Sequence, residues 1–398
     1  MTWSHGKPIA ERRIWKMAIR DADSRRRLSI VFLPTYVCDC SCDYCFELRR
    51  SGHIVDDDWT PRFREMRALA ERFEAESVVV YWQGGEILTL GIDSVRRGLD
   101  IADEVFSQTT IPFEHRLQTN LMSYNNQWGV LIRSRFGTRV GSSLDFPNKH
   151  RRIKNGKIGD YERVWAGMRG RAEADGVEVS VISLPNEDTL RLGAKAFYEH
   201  FAELGIKRLQ VNPPFSSDPG SFFSRCDTAA YGRFFVDLLH SWRDDGRRFM
   251  ISPLAQLEAA WTGDKRELPC IWSPDCSRSL IAMDYTGSCA QCDCWLSSWP
   301  DFLFGSVATD GIDAVLDSPA RRAFARRASI LLERDECGLC EYWDLCRGGC
   351  PVRAFTMRGD FHARDPYCQA YKTLFSAIVH DCEPGETGSQ VSPMHKVG

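Results

Sequence analysis

From residue 28 onward the chain alternates short β-branched or apolar runs with longer amphipathic stretches. The runs are LSIVFL (28–33), SVVVYW (77–82), HRLQT (115–119), RVGSSL (139–144), VEVSVIS (177–183) and IKRLQV (206–211). Between them the apolar periodicity predicts helices at 61–75, 93–106, 125–135, 160–175 and 188–204. Repeated strand–helix units imply a parallel sheet with right-handed crossovers. The expected architecture is α/β, a partial (β/α)6 TIM-like barrel over residues 28–228.

The pattern changes on either side of that unit. Residues 1–27 are polar and basic and read as an N-terminal arm. Residues 212–228 are rich in Pro, Gly and Ser and mark a boundary, after which 229–262 reads as helix within a linker that runs to 268. From 270 to 368 there are ten cysteines and few clear periods, so 269–382 is expected to fold around metal rather than a large apolar core. Residues 383–398 read as a disordered tail.

Composition narrows the function. With 398 residues, 43% hydrophobic and 26% charged, the chain has an ordinary globular composition and is long enough for two domains. A net charge of −3 with scattered Lys and Arg gives no electrostatic case for nucleic acid or membrane as partner. No apolar run approaches bilayer length and the N-terminus lacks a signal-peptide core, so the cytoplasm is expected. Sixteen cysteines in a reducing compartment argue for metal or catalysis over disulfides.

Their spacing is specific. Cys38, Cys42 and Cys45 form a Cx3Cx2C triplet just after the first strand run, at the barrel edge where α/β barrels carry their chemistry. Three thiolates leave one iron of a four-iron cubane open, while a zinc knuckle or plain buried thiols remain the alternatives. Tyr44 and Phe46 supply apolar cover. At the end of the second run Gln83 leads into Gly84, Gly85 and Glu86, two glycines that permit close backbone approach and a carboxylate able to accept from an ammonium group. Gln118, Thr119, Asn120, Ser143, Leu144 and Asp145 follow later strands on the same edge. Ser143 is a candidate for ribose hydroxyls, and Arg151, Arg152 or Arg163 for a carboxylate. Near the C-terminus Cys337, Cys340, Cys346 and Cys350 form Cx2Cx5Cx3C, with Cys270, Cys276 and Cys292 upstream and Cys368 downstream. By spacing alone this is a zinc ribbon or a pair of further iron–sulfur clusters.

The triplet, followed one strand later by Gly-Gly-Glu, resembles the signature of radical S-adenosylmethionine enzymes, and the C-terminal cysteines resemble their SPASM extension. Within that superfamily the likeness is to the anaerobic sulfatase-maturating enzymes, which oxidise a Cys or Ser of a protein substrate to formylglycine. It runs from about 30 to 370 and rests on Gln83 before Gly-Gly-Glu, LQTN at 117–120, SLDFPNKHR at 143–151, Cys292-Asp293 and CRGGC at 346–350. The resemblance implies S-adenosylmethionine and three [4Fe–4S] clusters. Cys38, Cys42 and Cys45 would hold the first, with Gln83, Gly84, Gly85, Glu86 and Ser143 around the cofactor. It assigns Cys270, Cys276, Cys292 and Cys350 to one auxiliary cluster and Cys337, Cys340, Cys346 and Cys368 to the other. Asp293 would be the catalytic base. Cys40, Cys226, Cys289, Cys294 and Cys382 are left without a task, and Cys289 or Cys294 lies near enough in sequence to replace Cys292 as ligand.

The chain departs from that family pattern at Glu47, where a tyrosine is usual, and at Ile87, Leu121 and Phe146. The leading expectation is therefore broader: a radical oxidoreductase that oxidises or cross-links a residue of a peptide or protein, served by an electron donor such as flavodoxin or ferredoxin. The 37 residues before Cys38 are too few for a separate leader-peptide-binding domain. The alternatives are a radical dehydrogenase or epimerase of a small molecule such as an aminocyclitol or sugar, the epimerase needing a hydrogen-donating cysteine at Cys226, Cys289 or Cys294, and a non-enzymatic metal scaffold. Arg49, Arg50 and Trp82 are further candidates for substrate contact.

Overall fold

The computed structural model describes residues 26–47, 51–215, 227–261, 268–272, 276–334 and 336–381. Nearly all of the arm, the tail, most of the Pro-rich boundary, Arg49, Arg50, Cys226 and Cys382 lie outside the described residues.

All six expected strands are present: β1 (Arg27–Thr35), β2 (Ser77–Gly84), β3 (Phe113–Leu117), β4 (Arg139–Ser143), β5 (Glu178–Ser183) and β6 (Arg208–Val211). A seventh, β7 (Met250–Ser252), runs parallel to β6 inside the stretch read as continuous helix. Its three residues are too few to show a period of their own, so the helices on either side, Thr228–Asp244 and Leu254–Trp261, masked it. β1–β2–β3 and β4–β5–β6–β7 are two parallel runs. They meet at the Gln118–Gly141 bridge, where the Thr119 amide donates to the Gly141 carbonyl at 2.9 Å. The barrel is thus continuous but thinly stitched at β3–β4, beside the strand-end residues singled out from the sequence.

The core explains why the first helix lies where it does. Trp59, Phe63, Met66, Leu69 and Ala70 recur on one face of helix Trp59–Arg72, and all are fully buried. Phe32 of β1 meets Trp59, Phe63 and Trp82 with ring centroids 6.1, 5.9 and 5.8 Å apart. Trp82 is therefore core and not a substrate contact. The expected helix 188–204 is two, Glu187–Leu192 and Ala194–Glu203, because Gly193 adopts φ 90° and ψ 163° between them.

The C-terminal segment differs most from expectation. β8 (Leu280–Asp284) enters the barrel sheet parallel to β1 on the side away from β2, and β9 (Ser288–Ala290) and β10 (Gly305–Ser306) continue it antiparallel. It also carries aromatic clusters, continuous with the apolar core of the barrel. Trp295 packs against Phe302, Phe324 and Phe355 at 4.7, 5.1 and 5.3 Å, and Trp272 packs on Phe375 and Tyr371 at 5.1 and 5.4 Å. Trp272, Trp295, Phe302, Phe324 and Phe355 come from loops and helices of eight residues or fewer, too short for a period to stand out, while Tyr371 and Phe375 share one face of the longer helix Cys368–Asp381. No helix among the described residues is long and apolar enough to cross a membrane.

Candidate functional site

β1 feeds directly into the first cysteine loop, and that loop is pinned from several sides. Ser41 and Asp43 donate backbone bonds to the carbonyls of Arg152 and His150 at 2.8 and 3.0 Å, and Lys154 donates to Asp39 at 2.9 Å. Cys38, Cys42 and Cys45 are brought together. Burial pushes the Cys45 thiol up to about 12, with the charges of Glu47, Cys42 and Cys38 adding to it. Cys42 is raised chiefly by burial, opposed by the Arg151 guanidinium. Thiolates held this close and this dry repel one another unless a cation or cluster offsets their charge, which is the chemistry of a metal-binding donor set. Cys40 is buried beside them: its amide approaches the Cys38 sulfur at 3.3 Å, and Asn120 Nδ2 donates to the Cys40 sulfur at 3.2 Å and to Asp39 Oδ1 at 2.6 Å.

The end of β2 wraps the same loop. Gly84 has φ 127°, and a Cβ on Gly84 or Gly85 would run into the carbonyl oxygens of Thr35 and Val37. Those carbonyls accept from the amides of Gly85 and Glu86 at 2.8 Å each. Glu86 is buried, and its carboxylate accepts from Thr119 Oγ1 (2.6 Å), the Asn120 amide (2.6 Å) and the Leu88 amide (3.0 Å). Burial lifts it to about 7, against the pull of those three donors. Its visible work is to lock the β3 exit, and so Asn120, against the cysteine loop. Glu86→Ala would strand these donors; a loss of roughly 2 kcal/mol or more is expected in denaturant unfolding, and an unchanged midpoint would remove this role.

Ser143 sits at the end of β4, its hydroxyl accepting from Gln118 Nε2 at 3.2 Å and its carbonyl from the Tyr161 hydroxyl at 2.7 Å. Of the three candidate arginines, Arg151 is the one whose side chain is largely buried beside Cys42. Its Nε lies 3.2 Å from Asp145 Oδ2 and its guanidinium 5.3 Å from the Tyr44 ring centroid, while the Tyr44 hydroxyl donates to the same Asp145. Arg152 is paired with Asp43 and Arg163 with Asp160 at the surface.

The second centre assembles from four short elements, which begin at or just after Cys270, Cys276, Cys292 and Cys350. The Cys270 thiol is pushed up to about 12, first by the protein atoms around it and then by Cys350 and Cys292, although the residue as a whole is exposed. Cys276 is raised by burial and then by Cys292, Cys350 and Cys270. These four act on one another as a single donor set. Burial raises the Asp293 carboxyl, next to Cys292, from its ordinary value, against the pull of its hydrogen-bond donors, and Gln83 Nε2 donates to its Oδ2. The residue leading into Gly-Gly-Glu and the aspartate beside the auxiliary cysteine, 210 positions apart, are thus hydrogen-bonded neighbours. Cys294 lies with Cys292 and Asp293, their ligand atoms all within 4.8 Å. Cys289 is instead sealed in β9, its thiol directed at the Gly287 carbonyl.

Cys337, Cys340, Cys346 and Cys368 line one cavity together with Tyr342, Trp343, Arg364 and Lys372. Between this cavity and the second centre lies a buried network that sequence reasoning missed. Asp365, fully buried, accepts from Arg353 Nη2 at 2.6 Å and from the Cys350 amide at 2.8 Å, and its carbonyl accepts from the Cys368 amide at 3.0 Å. Arg353 also donates to Tyr371 at 2.8 Å. Arg327 donates to the carbonyls of Gly348, Gly349, Phe361 and Ala363, clamping the CRGGC turn. The available signal was an acid three residues before Cys368 and an arginine three after Cys350, ordinary surface spacing on its own. Asp365→Asn leaves the Arg353 charge buried without a counter-charge, so a loss of about 3–5 kcal/mol is expected on unfolding of the reconstituted protein, with resistance to urea as the measurement.

No family model matches the chain. Over 363 residues it is 25% identical to the serine-type anaerobic sulfatase-maturating enzyme of Klebsiella aerogenes, covering 87% of this chain and 84% of that one. The cysteine-type anaerobic sulfatase-maturating enzyme of Clostridium perfringens (strain 13 / Type A) is 23% identical over 364 residues, covering 87% and 95%. Among solved structures, anSMEcpe with bound AdoMet and Cp18Cys peptide matches with TM-score 0.73 at 21% identity, over 89% of this chain and 97% of that one. SuiB of Streptococcus suis bound to its precursor peptide SuiA matches with TM-score 0.56 at 15% identity, over 93% and 83%.

Proposed function

We propose that this chain, a relative of the anaerobic sulfatase-maturating enzymes with their α/β radical S-adenosylmethionine fold, oxidises a cysteine or serine side chain of a peptide or protein, with formylglycine as the product. The observation that carries the reading is the Gln83–Asp293 hydrogen bond. It joins the turn beside the three-thiol loop to the carboxylate beside the four-thiol centre, which supports a reaction in which both act on one substrate.

The donor sets suit three four-iron clusters, held by Cys38, Cys42 and Cys45, by Cys270, Cys276, Cys292 and Cys350, and by Cys337, Cys340, Cys346 and Cys368. When bound, S-adenosylmethionine at the first cluster supplies a 5'-deoxyadenosyl radical that removes one hydrogen atom from the substrate. The chain's own residues do the rest. Asp293 receives the proton at its carboxylate, and its raised affinity for protons suits it to that task. Gln83 fixes the carboxylate's orientation. Trp82 and its aromatic neighbours pack strand β2 against helix Trp59–Arg72 and so brace the Gln83 turn, and Arg151, on the Cys42 side, is placed for an anionic group of the cofactor. The electron would pass to the cluster that Cys270, Cys276, Cys292 and Cys350 would hold. A serine then stands as the aldehyde, while a cysteine stands as a thioaldehyde that water hydrolyses with release of hydrogen sulfide, and a flavodoxin- or ferredoxin-type donor supplies the reducing electron for each turnover.

The test is anaerobic reconstitution with iron and sulfide, then dithionite, S-adenosylmethionine and the Cp18Cys peptide, with 5'-deoxyadenosine and peptide mass as readouts. About twelve irons per chain, 5'-deoxyadenosine and an aldehyde-bearing peptide are expected. Bound zinc, or no 5'-deoxyadenosine from fully loaded protein, would overturn the reading. One observation favours a second reading, an epimerase: Cys294 lies beside Asp293. Hydrogen from solvent fixed at an inverted α-carbon, with no net oxidation, would distinguish it.

A further inference from the structure

The six-residue helix Asp293–Ser298 begins at the auxiliary centre and ends against the first cysteine loop. At its start Asp293 accepts from Gln83. In its middle Trp295 and Leu296 are fully buried, Trp295 among Phe302, Phe324 and Phe355. At its far end the Ser297 hydroxyl donates to Glu47 Oε2 at 2.8 Å, and the Ser298 hydroxyl donates to the Phe46 carbonyl at 3.1 Å. Glu47 and Phe46 are the two residues that follow Cys45. Ser297, Ser298 and Glu47 are 2%, 7% and 6% exposed, so water does not readily substitute for either bond.

We propose that Ser297, with Glu47 as its acceptor, is a positioning residue that uses this helix as a strut, holding the Asp293 carboxylate at a fixed place relative to the first cysteine loop. The inference rests on the radical-oxidation reading above and names how its two halves are kept in register. Hydrogen removal occurs on the cysteine-loop side and proton removal at Asp293, from the same substrate, so a shift of about 1 Å between them costs on the order of a hundredfold in the reaction needing both. It leaves the first half untouched. The signature of the strut is therefore uncoupling: 5'-deoxyadenosine without product.

The experiment compares reconstituted full-length wild type with Ser297→Ala, Ser297→Thr, Glu47→Leu and Glu47→Gln, reading iron content, deuterium exchange over 293–299, and product per 5'-deoxyadenosine with the Cp18Cys peptide. Ser297→Ala and Glu47→Leu are expected to keep their iron, to exchange the 293–299 amides about tenfold faster, and to lower product per 5'-deoxyadenosine at least about tenfold. Ser297→Thr keeps a donor and Glu47→Gln an acceptor, so both should restore wild-type exchange and coupling. Unchanged exchange in Ser297→Ala, faster exchange with unchanged coupling, equal losses of 5'-deoxyadenosine and product, or a threonine variant that behaves like alanine would each overturn the strut. If wild type makes no 5'-deoxyadenosine, the radical reading fails by itself. If wild type leaves the peptide intact, the exchange comparison decides: acceleration in alanine and rescue by threonine support the strut, and any other pattern overturns it.

Discussion

A chain with Cys38, Cys42 and Cys45 all changed to alanine should form at least about a thousandfold less 5'-deoxyadenosine than wild type while keeping about eight irons. The asymmetry follows from where the thiols sit. The triplet occupies one loop after β1, held by backbone bonds to 150–154, whereas the other eight assigned cysteines belong to segments between 270 and 368 that have their own Arg327 and Arg353 clamps. Removing the first donor set does not remove what shapes the others. Retained 5'-deoxyadenosine would show that S-adenosylmethionine is cleaved elsewhere, and loss of all twelve irons would show that the centres do not assemble independently. Iron analysis and quantification of 5'-deoxyadenosine on the same sample decide between these outcomes.

Asp293→Asn should separate the two halves of the reaction. Asparagine keeps a carbonyl oxygen for Gln83 Nε2, so geometry and cluster loading persist, but it cannot take up a proton. Product formation is expected to fall about 10²- to 10⁴-fold, the usual contribution of a positioned general base. 5'-Deoxyadenosine should still form in the presence of peptide. A parallel fall of both would mean that Asp293 serves cluster integrity, and unchanged product would pass the role of base to another group. The measurement is product and 5'-deoxyadenosine from single anaerobic turnovers.

The barrel was largely legible because its strands are central and parallel, hence continuous apolar runs such as LSIVFL, and because its helices carry one buried stripe each. β7 was not, being three residues between two strong helices. At the site, spacing marked the Cys38, Cys42 and Cys45 triplet, whose members are local in sequence, whereas the division of the later cysteines into two sets came from the family resemblance, because Cys270 and Cys350 lie 80 positions apart. What spacing could not show was who holds whom. Gln83 and Asp293 were each singled out, yet their contact depends on β8 joining β1, a pairing with no periodic trace. Glu86 illustrates the same limit: its residue type suggested a ligand for an ammonium group, and its tertiary surroundings supply three donors from the chain itself. Ser297 carried no signal at all, because a serine's value here lies wholly in its partner about 250 positions away.

The placement of β8 also has a bearing on biogenesis. β1 is the first strand described, and its outer neighbour comes from the cysteine-rich segment, with Ile30 opposite Ile281. During synthesis the strand that carries the first cysteine loop would leave one edge unsatisfied until about 250 further residues have emerged, a long-range pairing that is slow to form and open to wrong partners meanwhile. A barrel cut off before residue 280 would keep that raw edge permanently. Expressed alone, it should be prone to aggregate rather than behave as an independent catalytic unit.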